Sequence, residues 1–221
     1  MPNQTFFNLP EKKRQTITEL AIAEFANNDY KNASVTKIVK QAKIAKGSFY
    51  QYFEDKKELY LYLVNLASNE KITFLQKAKP PESNLSFFPY LRWLFDVATQ
   101  FDLTHPALSQ IVYRSMYGNL PFRDEVLSIT QASSDEYLKQ LVKKGIERGD
   151  IAQNVDPDMA VFVINTLGEG LRQYIPNQLG LNTNELVEKR IKKDIDLKAI
   201  EQIFDDLFKV LKDGIGSKFE T

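Results

Sequence analysis

Apolar positions recur every three to four residues along nearly the whole chain, and no stretch alternates with period two. Pro10 suits a helix start, where its missing N–H costs little, and Ile17, Leu20, Ala21 and Phe25 then form one stripe ending near Asn27-Asn28-Asp29. Ser34 is a good N-cap for a second helix that buries Val35, Ile38, Val39 and Ala42. After Lys43-Ile44, a short helix from about Ala45 buries Phe49 and Phe53. Asp55 and Glu58 have the spacing of a capping box, which starts a long helix reaching about Lys79 before Pro80-Pro81 stops it.

The rest of the chain continues in the same period. Leu85–Phe101 is apolar on most sides, the mark of a helix buried among others. His105-Pro106 opens another helix through Tyr117, and Gly118 to Pro121 breaks it. Phe122 to Arg148 reads as one long helix, with Ser133-Ser134 the weak point and Gly149 the C-cap. Asp156-Pro157 starts a helix ending near Tyr174, before Pro176; a loop over 177–184 and a final helix over 196–211 follow. The prediction is an all-α chain.

Composition narrows the function classes. The 221 residues hold 43% hydrophobic and 26% charged residues, enough for a real core. There is no cysteine, so disulfides and thiolate chemistry are excluded. A single histidine, with neither a phosphate-binding glycine loop nor paired metal-ligand spacing, argues against an enzyme and against a metal or cofactor. No run of apolar residues has the length of a membrane span, and no secretory signal pattern is visible, so a cytoplasmic location is expected. Net charge is zero, but it is unevenly spread: residues 1–57 carry ten Lys/Arg against six Asp/Glu, and the remainder is acidic by the same margin. A basic end on an acidic body suits a DNA reader with a separate sensing part.

Residues 34–59, SVTKIVKQAKIAKGSFYQYFEDKKEL, fit a helix-turn-helix. Such a motif needs two packed helices, a tight turn with an apolar anchor, and a second helix with one face open to base edges. Val35, Ile38, Val39, Ile44, Phe49 and Phe53 supply the buried faces. Thr36 lies in the first turn of its helix, where a hydroxyl and free N–H groups meet a phosphate. Gly47, Ser48, Gln51 and Tyr52 are the expected outward residues, Ser48 and Tyr52 sharing a face four residues apart. Lys31, Lys37, Lys40 and Lys43 read as a solvated basic face.

The AxxxFA of Ala21, Phe25 and Ala26, the SVTKIVKQA of Ser34–Ala42 and the KGSFYQYFEDKKEL of Lys46–Leu59 resemble the N-terminal domain of the TetR family of transcriptional regulators. The resemblance implies a helix-turn-helix domain at 1–57 and a larger helical effector-binding and dimerisation domain at 58–221. It implies phosphate contacts at Thr36, Lys46, Tyr50 and Lys56, and base contacts at Gly47, Ser48 and Tyr52. Two positions depart from the family pattern. Lys43 stands where glycine is usual, and Ala45 where a capping Ser or Thr is common.

The same resemblance implies a dimer reading palindromic operator DNA, paired through helices near 158–174 and 196–211. Val161, Ile164, Asn165, Gly168 and Leu171 would face the partner on the first, and Ile200, Ile203, Phe204, Leu207, Phe208 and Leu211 on the second. It also implies a pocket in the aromatic-rich body for a small hydrophobic effector, with Trp93, Tyr113, Tyr117, Arg114 and Phe122 as candidate lining residues. A ligand-responsive repressor is the first reading. A sequence-tolerant DNA-binding or interaction protein without an effector is the second.

Overall fold

The computed structural model describes residues 1–82, 84–130, 132–181 and 196–213. Eleven helices and no strand lie among them: α1 Gln4–Phe7, α2 Glu11–Asn27, α3 Val35–Gln41, α4 Lys46–Tyr52, α5 Lys56–Lys77, α6 Phe87–Thr104, α7 Pro106–Tyr117, α8 Arg123–Thr130, α9 Ala132–Glu147, α10 Pro157–Gln178 and α11 Leu197–Asp213. None of the described helices is long and apolar enough to cross a membrane.

The expected starts hold where a cap determines them. Asp55 accepts the Glu58 N–H at 2.8 Å, and the Glu58 carboxylate reaches back to the Glu54 N–H at 2.7 Å. Asp156 accepts the Met159 N–H, with Pro157 in the first turn of α10. Gly149, at φ 79°, closes α9: the Asp150 N–H reaches the Gly145 carbonyl and the Gly149 N–H that of Ile146.

Three elements need comparison with expectation. Of Phe122–Arg148, read as one helix, Arg123–Thr130 (α8) and Ala132–Glu147 (α9) are helical, and residue 131 between them lies outside the described residues. α10 runs past Tyr174 and through Pro176, because that proline lies in the last turn, where one lost hydrogen bond is tolerated. Gly180, at φ 64°, then ends it, the Leu181 N–H bonding the Pro176 carbonyl. The third is α1, which the sequence reading did not foresee. Its Phe6 is fully buried against Phe53, Tyr52 and Tyr62. Of the expected 177–184 loop, the residues beyond Leu181 lie outside the described ones.

Two hydrophobic cores organise the molecule. The first joins α1 to α4 with the N-terminal half of α5 and continues into α7 through Ile111 and Val112. The second packs α6, α9, α10 and α11 around Leu91, Phe95, Val142, Ile164, Phe204 and Phe208. The apolar residues assigned above to a partner therefore face this core instead. Val161, Ile164 and Leu171 of α10, and Ile200, Phe204 and Phe208 of α11, are buried within the chain. Both helices are present, but the stripes named on them are the inward ones, because apolar periodicity alone does not say which neighbour covers a stripe.

The turn between α3 and α4 carries strain. Lys43 has φ 53°, a left-handed backbone that costs a residue with a side chain about 1–2 kcal/mol. Glycine removes that penalty but loses about 0.5–1 kcal/mol of chain entropy on folding. We expect Lys43→Gly to stabilise the protein by about 0.5–1 kcal/mol, read as a higher urea midpoint at unchanged slope.

Candidate nucleic-acid interface

Local chemistry fixes the two short helices. Ser34 caps α3, its hydroxyl accepting the Lys37 N–H at 3.3 Å. Its own N–H donates at 3.0 Å to Glu24, which is only 4% exposed. The other oxygen of Glu24 takes the Lys37 ammonium at 2.7 Å. One buried carboxylate thus ties the last turns of α2 to the first of α3. At the far end of α3, the Ile44 N–H bonds the Val39 carbonyl and the Lys43 N–H that of Lys40. This is the paired closure that glycine usually makes. Ala45 starts α4 with no side-chain cap.

α4 rests on Phe49, Tyr52 and Phe53, all buried. Tyr52 therefore requires a correction: expected to face outward, it is only 5% exposed and sits against the ring of Phe6. Helix geometry explains the error. Tyr52 shares a side with Ser48, as expected, but that side borders Phe49 and Phe53, and α1 covers it. Ser48 is half-buried, while the opposite face, fully open, carries Gly47, Tyr50 and Gln51 with Lys46 at its N-terminal edge. Apart from its chain neighbours and the backbone of α4 itself, nothing lies within 4 Å of where a Cβ on Gly47 would stand, so packing does not demand a glycine there.

Thr36, on the first turn of α3, is exposed, as are Lys40, Lys43 and Lys46. Lys37 is exposed as well, with its ammonium paired to Glu24. Lys56 also has partners within the chain. Its ammonium donates to the Lys31 carbonyl at 3.2 Å and the Ala33 carbonyl at 3.1 Å, and lies 4.7 Å from the Tyr30 ring centre. It anchors the loop before α3 to the start of α5.

The five residues expected to line one pocket are not gathered into one. Tyr113 and Tyr117 do meet, ring centres 5.2 Å apart, and Tyr117 borders a cleft of about 550 Å³ with Val161, Phe162 and Asn165. Burial and the Glu169 carboxylate push the Tyr117 hydroxyl pKa up, so it stays a neutral donor. Trp93 sits beside Tyr90 on α6. Phe122 packs on Tyr30 and Tyr60 in the first core. Arg114 follows Tyr113 by one residue, about 100° around α7, and reaches the Phe25 carbonyl at 3.0 Å instead. Aromatic content alone does not distinguish these separate surroundings.

Sequence reasoning missed one polar cluster that joins four helices. Asp102 of α6 receives the Ser109 hydroxyl of α7 at 2.5 Å, with the Lys71 ammonium of α5 at 3.4 Å and the Arg172 guanidinium of α10 at 3.6 Å. Arg172 also donates to the Ser109 carbonyl and stacks over Tyr113. Each of these residues has other polar residues on its own helix, so spacing along one helix does not single it out.

Two packed helices around a tight turn, the second with one open face and Lys46 at its edge, define a helix-turn-helix DNA-binding regulator. Residues 17–63 match the model of bacterial regulatory proteins of the tetR family, and residues 85–216 that of the tetracyclin repressor-like C-terminal domain. The chain belongs to the TetR family. It is 38% identical to a TetR family transcriptional regulator from Chloroflexus aurantiacus J-10-FL, with a TM-score of 0.82 over 97% of this chain and 98% of that one. It is 25% identical over 177 residues to the "Probable acrEF/envCD operon repressor" of Escherichia coli K12, spanning 76% of this chain and 79% of that protein. The transcriptional regulator FadR of Bacillus subtilis, in complex with stearoyl-CoA, shares the fold at a TM-score of 0.65 and 18% identity, over 91% of this chain and 99% of that one.

Removing Glu24 would leave the Ser34 N–H without an acceptor, an orphan worth about 1–3 kcal/mol. The Lys37 side chain is mostly exposed, so losing the ion pair adds little. We expect Glu24→Ala to destabilise the fold by about 2 kcal/mol, measured by chemical denaturation.

Proposed function

We propose that the chain is a ligand-responsive repressor that binds palindromic operator DNA as a dimer and releases it on binding a small hydrophobic effector. The observation that carries the DNA reading is the open face of α4: Lys46, Gly47, Tyr50 and Gln51 lie exposed on a helix whose other side is packed through Phe49 and Tyr52. In this reading Gly47 and Gln51 approach base edges and Ser48 flanks them. Lys46, Tyr50 and Thr36 hold phosphates, and Lys56 positions the α3 loop more than it touches DNA. Residues 1–57 act as the DNA-binding unit and 58–221 as the effector and dimerisation unit, joined by α5, whose first residues belong to the former.

A dimer is supported by an apolar face on α10 that the chain itself leaves bare. Met159, Phe162, Val163, Gly170 and Tyr174 lie on one side of the helix, and Phe162 is 63% exposed. A Cβ at Gly170 would meet nothing within 4 Å. The cluster at Asp102 couples α5 to α10, so a ligand that displaces α5 also alters how the two copies sit. DNA fixes half-site spacing, so a small tilt of α5 suffices to release the operator. The stearoyl-CoA held by the similar Bacillus regulator favours a long apolar effector over the effector-free reading.

Operator sequences selected from random duplexes would supply the target for two measurements. Lys46→Ala should weaken binding to all sequences alike and lower the slope of log K against log salt by about one; an unchanged slope would remove that phosphate contact. Phe162→Glu should convert dimer to monomer in light scattering and abolish tight operator binding, leaving helical content unchanged. A dimer that survives it would refute the α10 interface.

A further inference from the structure

Where the DNA-binding unit meets the body, the α2–α3 loop, α5 and α7 enclose a cleft of about 450 Å³. It is separate from the Tyr117 cleft and shares no residue with it. Tyr60 of α5 lines it. That side chain is 1% exposed, and its hydroxyl has no hydrogen-bond partner among the described residues. The charged and polar groups acting on the hydroxyl are Arg114 and Tyr30, both of which also line the cleft. A buried hydroxyl without a partner is destabilising, and phenylalanine would fill the same space without that penalty. Burial pushes the Tyr60 pKa well up, so the group is a neutral donor at every ordinary pH.

The rest of the lining is bipolar. Arg114 uses one N–H on the Phe25 carbonyl and holds five donors in all. Against it stand Asp29 and the carbonyl ends of α2 and α7, which close at Asn27 and Tyr117. Asp29 accepts the Asn32 N–H and side-chain amide, leaving lone pairs on both oxygens. Asn27, Asn28, Asn32 and Asn119 add amides to the lining. A simple anion would meet Asp29 and two helix C-termini; a simple cation would meet Arg114. A molecule carrying both charges meets neither conflict.

We propose that this cleft binds a small zwitterion of the amino-acid class, its carboxylate on Arg114 and the Tyr60 hydroxyl and its amine toward Asp29. Occupancy would act on the α2–α3 loop, whose carbonyls at Lys31 and Ala33 hold Lys56 and which leads directly into the Ser34 cap of α3. The site would therefore report to the DNA-binding unit directly, without passing through the body.

Calorimetry on the full chain, free of DNA, tests the site whether or not the operator reading holds. The probes are L-phenylalanine and L-glutamine, with 3-phenylpropionate and 2-phenylethylamine as the half-molecules of the first. One amino acid should saturate at one per chain, and both half-molecules should bind about tenfold or more weakly, as expected when a charged hydrogen bond is lost. Tyr60→Phe should weaken binding about fivefold while leaving the melting temperature equal or higher, and Arg114→Lys should weaken it further. The proposal is overturned if neither amino acid gives a saturable heat, or if a half-molecule binds as tightly as the whole. It is equally overturned if Tyr60→Phe binds normally, or if that variant melts several degrees lower, since the hydroxyl would then have a partner within the chain.

Discussion

A seven-residue helix has no stability of its own in water, because the cost of its first turn is not recovered over so short a length. α4 exists because Phe49, Tyr52 and Phe53 are buried against α1, α3 and α5. Each such ring contributes about 1.5–3 kcal/mol when fully withdrawn from water. That burial leaves one narrow strip of the helix exposed and decides which residues occupy it. The open face of α4, proposed above to read DNA, is thus defined by subtraction, as whatever the aromatic anchors do not claim.

That dependence explains what was legible in the sequence. Caps are local, so Ser34, Asp55, Asp156 and Gly149 could be read directly, and each does its expected job. The strained turn was legible too, since Lys43 occupies a position whose backbone favours glycine. What failed were choices between two faces of one helix. Tyr52 turned inward because α1, four residues long and without a cap signal, covers it. The α10 and α11 stripes turned inward because α6 and α9 lie beneath them. Arg114 and Phe122 left the aromatic group because α7 and the turn after it face the DNA-binding unit. Each of these requires knowing a distant neighbour, which spacing along one helix does not contain.

Basic residues sort in the same way. Seven lysines lie between Lys31 and Lys57, but they are not equivalent. Lys37 and Lys56 are held by Glu24 and by the Lys31 and Ala33 carbonyls, and Lys57 pairs with Glu125. Lys40, Lys43 and Lys46 extend into solvent around the α3–α4 turn. The positive potential is therefore concentrated at the turn and the start of α4. At that turn, a lysine in a left-handed backbone trades some stability for charge beside the open face.

The bridge at Glu24 has a mechanical side. By gripping the leading amide of α3 and a lysine one turn on, it makes α2 and α3 pivot together, with α4 locked to them through aromatic packing. In the repressor proposed above, a signal arriving from the body would meet a stiff reading head. It would change where the head is aimed and leave its surface as it was, so the sequence preferred by one half-site should be the same in the liganded and unliganded protein.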